Sequence, residues 1–106
     1  MDQTAIVIVD TTGAIRFWSK GAESAFGHSE EVALGSTLDL IVPDEFREAH
    51  WQGFHRAIAV GSAATEGKEI TLPVHTSDGG IENSAGKLTL LRRGDKSIVG
   101  VMVIFG

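Results

Sequence analysis

The chain has 106 residues, 42% of them hydrophobic and 22% charged, with a formal net charge of −5 and no cysteine. That length supports one domain, residues 1–106, with a single modest core. The acidic balance and the lack of a basic stripe argue against nucleic acid as a direct partner, and without cysteine there is no disulfide framework or thiolate metal site. The opening MDQTAIVIVD lacks the charged region and long apolar run of a signal peptide, and no segment approaches the roughly 20 apolar residues of a membrane span. The expectation is a soluble, cytoplasmic domain with no membrane partner.

Ala5–Val9 is short and β-branched, a strand pattern. Asp10-Thr11-Thr12-Gly13 supplies a turn, and Ala14–Trp18 returns as the second strand of a hairpin. Ser19 caps a short helix over Lys20–Phe26 that ends at Gly27. Ser29-Glu30-Glu31 starts another helical turn, closed by Gly35, and Thr37–Ile41 is an apolar connector. Pro43 with Asp44 and Glu45 opens a longer helix running to Val60 and ending at Gly61. Glu66–Pro73 reads as a strand, Ser77-Asp78-Gly79-Gly80 as a hairpin turn, and Ile81–Leu91 as the next strand. Arg92–Lys96 is a tight, solvated connection, and Ser97–Phe105 is the last strand. The order ββαααβββ calls for a five-stranded antiparallel sheet with helices on one face, in the α+β class.

The long helix carries the most informative residue. At about 100° per residue, Phe46, His50, Gly53, Ala57 and Val60 fall on one stripe, the face expected to pack inward. Arg47, Glu48, Gln52 and Arg56 fall outside it, and His55 projects to the opposite, wet side. An imidazole on an apolar stripe is either a metal ligand or a core histidine whose ring nitrogens find backbone partners. Gly53, beside it, removes side-chain bulk and suggests close approach of a flat group or another backbone. His28 belongs to a turn and His75 to a strand end, and no histidine pair has zinc spacing. Trp18 reads as a packing residue and Trp51 as one at the edge of the stripe. No set of residues has the order of a known catalytic motif, so enzymatic activity is not expected.

The last strand, VGVMVIF, is apolar on both alternating faces, as is AIVIV at the front. One face must look at the helices. The other is left on the outer side of the sheet, where exposed apolar area marks an interface. A homodimer through this outer face and the N-terminal segment is the expectation.

The order of elements, with IVIVDTTGAIRFWSKGAESAFGHSEEVALG at the front, resembles a PAS domain. The resemblance rests on Asp10 and Gly13 in the first turn, Ile15 and Trp18 on the second strand, and Ala22-Glu23 with Phe26-Gly27 in the first helix. Ser29-Glu30-Glu31, Gly35, Asp78-Gly79 and the closing VGVMVIF complete it. Within that family, VPDEFREAH is similar to the stretch of oxygen-sensing haem PAS domains in which a proline lies seven residues before the ligating histidine. The resemblance implies haem b held by His50 as the iron ligand, in agreement with the common use of histidine as an axial ligand. It implies a pocket formed by His50, Phe46, Gly53, Phe54, Ile41, Ile70, Leu88, Leu90 and Met102. Ile70 stands where those oxygen sensors place an arginine, and Lys68 is the only cation of that strand. The resemblance therefore carries haem and not the choice of gas. Lacking cysteine, the chain has no thiol for the usual flavin adduct. The implied role is a sensor of a diatomic gas or redox state, cut from a larger chain with a kinase or regulator output. The alternative is a cofactor-free PAS interaction module or a binder of a small apolar ligand.

Overall fold

The structure, a computed structural model, describes residues 4–106. Its strands are β1 (Ala5–Asp10), β2 (Ile15–Trp18), β3 (Glu69–His75), β4 (Ile81–Arg92) and β5 (Ile98–Phe105). Between β2 and β3 lie three helices, α1 (Lys20–Phe26), α2 (Glu30–Ala33) and α3 (Arg47–Val60). The strands form one antiparallel sheet in the order β2-β1-β5-β4-β3. This is the expected α+β fold.

Local chemistry sets the element ends. Ser19 caps α1 by accepting from the Ala22 N–H at 3.1 Å. The same hydroxyl accepts from Ile6 N at 2.8 Å and donates to the Thr4 carbonyl at 2.9 Å, so one side chain joins β1 to α1. Ser29 caps α2 in the same way through Val32 N. The predicted long helix is divided: Asp44–Phe46 form a 3₁₀ turn behind Pro43, and the α-helix begins at Arg47. A second 3₁₀ turn, Leu38–Leu40, lies in the predicted connector. Strand β3 starts at Glu69 rather than Glu66 and continues through Pro73 to His75.

The register separates the two faces of the sheet. Val7, Val103 and Leu88 lie opposite one another across β1, β5 and β4, as do Val9, Val101 and Leu90. These join Trp18, Phe26, Phe54, Val74 and Phe105 in the core beneath the helices. The ring of Phe26 meets that of Phe105 edge-on, with centroids 5.0 Å apart. On the opposite face, Phe17, Ile8 and Met102 form one row and Ile6 and Ile104 another. Phe17 is 44% and Ile104 39% exposed, so the outer face does present apolar surface among the described residues. Residues 1–3 of the segment expected to take part in a dimer lie outside the described residues.

Candidate functional site

The site begins with the segment before α3. Arg47 folds back from the first turn of that helix, donating from Nη2 to the Asp39 carbonyl (2.9 Å) and from Nε to the Val42 carbonyl (3.1 Å). Its Nη1 also lies 2.9 Å from the Asp44 carboxylate. The arginine thereby fixes residues 39–44 against the start of α3. Asp39 in turn accepts the Trp51 indole N–H at 2.7 Å.

Helix α3 does not present the expected face. Phe46 is 44% and Val60 68% exposed. Gly53 is exposed, and a Cβ built there would have no atom within 4 Å. The inward residues are Phe54, which is buried, with Trp51, Ala57 and Ile58 packed partly against the core. The helix is thus turned by roughly 80° from the predicted phase, at about 100° per residue. His50 and Ala57 lie near the border shared by both stripes, which is why His50 keeps an inward component.

His50 is half-buried, and its Nδ1 is the single buried side-chain nitrogen or oxygen among the described residues with no hydrogen-bond partner. Such groups are uncommon, because a buried polar atom left unpaired forfeits its hydration. Burial pushes the imidazole pKa down, against the opposing pull of the Asp39 charge and with a smaller push from His55 in the same direction. The neutral ring, the form that ligates a metal, is therefore favoured. Its neighbours are aromatic: Trp51 edge-on with centroids at 5.0 Å, and Phe54 tilted at 5.9 Å. His55 is exposed, as expected, and stacks on Trp51.

Of the other predicted pocket residues, Ile41 and Leu90 are buried, and Ile70 and Leu88 are half-buried on the inner side of the sheet. Ile70 pairs with Gly86, whose inner side is bounded by Leu72 and Phe105. Met102 is on the wrong face: it lies opposite Ile8 and Thr89 on the outer side, while Val101 and Phe105 point inward. A strand apolar on both sides gives no signal to choose between them. Met102, Phe46 and Gly53 therefore leave the inner set, and His50, Phe54, Ile41, Ile70, Leu88 and Leu90 remain on or beside the interior. A groove of about 310 Å³ lined by Pro43, Asp44, Glu45, His75, Gly79 and Ile81 includes none of these. Among the described residues, no group of three or more histidine, aspartate or glutamate side chains could hold a metal ion.

Two contacts had no signal in the sequence. Trp51 is more than a boundary residue, since its six-membered ring lies over Gly13, where any Cβ would overlap Cη2 and Cζ3. Gly13 also has φ +85°, so the turn and the tryptophan both require glycine there. Arg92, expected in a solvated turn, ends β4 and forms a clasp. Its Nη1 and Nη2 donate to the Glu66 carboxylate at 3.0 and 2.9 Å, and Nη2 donates to the Gly61 carbonyl at 3.1 Å. Glu66 also accepts the Leu90 N–H at 2.9 Å. These bonds, that from Arg92 first, hold its carboxyl well down, at about 2.

Comparison with known proteins places the fold. The oxygen sensor protein DosP of Escherichia coli is 26% identical over 73 residues, which are 69% of this chain and 9% of DosP. The sensor protein FixL of Bradyrhizobium diazoefficiens is 28% identical over 89 residues, 74% of this chain and 18% of FixL. An uncharacterized protein of Azorhizobium caulinodans is 30% identical over 78 residues, 73% of this chain and 11% of that protein. The chain thus spans less than a fifth of each of these relatives. Among solved structures, a PAS domain from Colwellia psychrerythraea superposes with a TM-score of 0.81 at 22% identity, covering 97% of this chain and 84% of that one. The PAS domain of the Cronobacter turicensis quorum-sensing receptor RpfR, in complex with BDSF, gives 0.74 at 17% identity, covering 98% and 93%. The family described as the PAS fold matches residues 3–105, and with the sheet order and helices above this chain belongs to the PAS family.

Proposed function

We propose that this PAS domain is the sensory part of a signalling protein and binds haem b through His50, reporting a diatomic gas or redox state. The observation that carries the reading is the buried, unpartnered Nδ1 of a half-buried histidine on α3. A neutral imidazole with no protein hydrogen bond keeps a nitrogen lone pair available for iron. The apolar side chains of Ile70, Leu72, Leu88 and Leu90 on the inner side of the sheet suit the faces and edges of a macrocycle. When bound, haem supplies an iron that takes a diatomic ligand or changes oxidation state, with its potential set by the axial ligand and surroundings. Two relatives, the oxygen sensor protein DosP and the sensor protein FixL, support a sensor reading. The inner residues of β3 are Ile70, Leu72 and Val74, so that strand offers no side-chain donor to a bound gas.

The test is haem titration of the purified protein followed by its absorption spectrum. A Soret band that is lost in His50→Ala and kept in His55→Ala is the expected result. Failure of the wild-type chain to take up haem would reject it.

A second reading, a pocket for a small apolar ligand, draws on the half-buried inner face of β3 and β4. RpfR in complex with C12:0 gives it a structural parallel, with a TM-score of 0.74. Uptake of a fatty acid by a chain that refuses haem would favour it. In either case the outer face of Phe17, Ile8, Ile6, Met102 and Ile104 is proposed as a homodimer surface, joined in the longer protein to a kinase or regulator. A monomeric mass at high protein concentration would argue against that dimer.

A further inference from the structure

The indole of Trp51 is constrained on several sides. Its N–H is held by Asp39 at 2.7 Å. Its far edge fills the space that Gly13 leaves by having no side chain. One face stacks on His55 at 5.7 Å with 25° between planes, and Phe54 meets it edge-on at 5.3 Å. A side chain with two rotatable angles, fixed at both its donor and its far edge, has little freedom to swing. His50 is the opposite case. With its buried nitrogen unpartnered, its ring takes its orientation from packing, and Trp51 is its nearest aromatic wall, at 5.0 Å and 72°.

Asp39 is itself held in place. Its backbone carbonyl accepts from Arg47, and Arg47 also binds the Val42 carbonyl and the Asp44 carboxylate. A chain of contacts therefore runs from a 3₁₀ turn outside α3 to the imidazole on it. We infer that Asp39 and Trp51 are positioning residues for His50: the carboxylate fixes the indole, and the indole fixes the imidazole. The functional meaning of this arrangement rests on the reading of His50 as a ligand, but the arrangement can be tested without haem.

The experiment compares Asp39→Ala, Asp39→Asn and Trp51→Phe with wild type by NMR of the His50 ring protons, and then by haem titration. The edge of Trp51 imposes a ring-current shift on those protons. Asp39→Ala removes the acceptor while the indole remains, so it should move the His50 signals toward those of a free imidazole, by part of the change that Trp51→Phe, which removes the indole itself, defines. Asp39→Asn keeps a carbonyl acceptor and should restore the wild-type shifts. A role confined to stability would lower the melting midpoint and leave the shifts of the folded protein in place. In the haem titration, the Ala variant should bind about 10-fold more weakly, the low end of what loss of an outer-shell partner causes. Wild-type His50 shifts in Asp39→Ala would overturn the proposal. Should Asp39→Ala not fold, Asp39→Leu, which also lacks the acceptor and keeps the indole, gives the same comparison with Asp39→Asn. Responsive shifts in a chain that never takes up haem would uphold the positioning and reject the haem reading. Haem uptake with unmoved shifts would do the reverse.

Discussion

The two halves of this domain are built to different standards of closure. Where β1 and β2 meet α1, the side chains of Val7, Ile15, Trp18, Ala22 and Phe26 are at most 1% exposed. Trp18 there donates its indole N–H to the His28 carbonyl at 2.9 Å, so even its polar atom is satisfied. Around α3 and the inner side of β3 and β4, one residue of the fourteen in the helix is buried, and Leu72, Leu88 and Val103 are only partly covered although Val74 and Leu90 are buried. The unsatisfied polar atom is in that half as well. One half is closely packed, and the other leaves apolar surface partly covered and an imidazole nitrogen without a partner.

Paired substitutions can break or sharpen this contrast. Phe26→Ala should destabilise by about 3–5 kcal/mol, because closed packing leaves a cavity that cannot collapse. Phe54→Ala should cost less, about 2 kcal/mol, since its neighbours are partly wet and the lost transfer term dominates. Equal shifts in urea midpoint for the two would remove the distinction. Gly13→Ala should destabilise by about 2 kcal/mol or more, combining a left-handed backbone with collision against Trp51. Gly53→Ala should instead stabilise by about 0.5–1 kcal/mol, as an exposed helical glycine with open space around it. Destabilisation at Gly53 would return that residue to the site.

The smallest effect concerns acid. Glu66 is held at about 2 against an ordinary value of 4.5. A carboxylate with a lowered folded-state pKa contributes stability that is present above 4.5 and lost as pH falls toward 2. Glu66→Gln should flatten the stability profile in that window and leave the slope between pH 6 and 8 unchanged, as read from urea midpoints across pH. A mutant profile parallel to wild type below pH 4.5 would deny the clasp.

Most of the fold was legible because its signals are local. Ser19, Ser29, Gly27 and Gly61 mark helix ends that depend on neighbouring residues, and the β-branched runs mark strands. The facing of α3 was not legible. With His50 and Gly53 in its middle, the helix has two overlapping stripes, and the choice of Trp51, Phe54 and Ile58 is made by Asp39 and Gly13, which lie far back in the chain. Met102 was misplaced for a related reason: when both faces of a strand are apolar, alternation cannot say which is covered. The Glu66–Arg92 clasp joins residues with no local pattern between them. His50 itself was found from sequence as an oddity, and the structure adds that its Nδ1 is left without a partner.

The arginines give α3 a mechanical character. Arg47 ties its first turn to residues 39–44, and Arg92 holds the carbonyl of Gly61 just past its last. The helix resembles a beam clamped at both ends and lightly loaded at mid-span. Such a beam responds to a force at its centre by twisting or bowing, while its ends stay where they are. A load on the inner side of α3 would then be registered between the clamps, first at His50, whose Nδ1 has no partner, while Trp51 stays tied to Asp39 and Gly13.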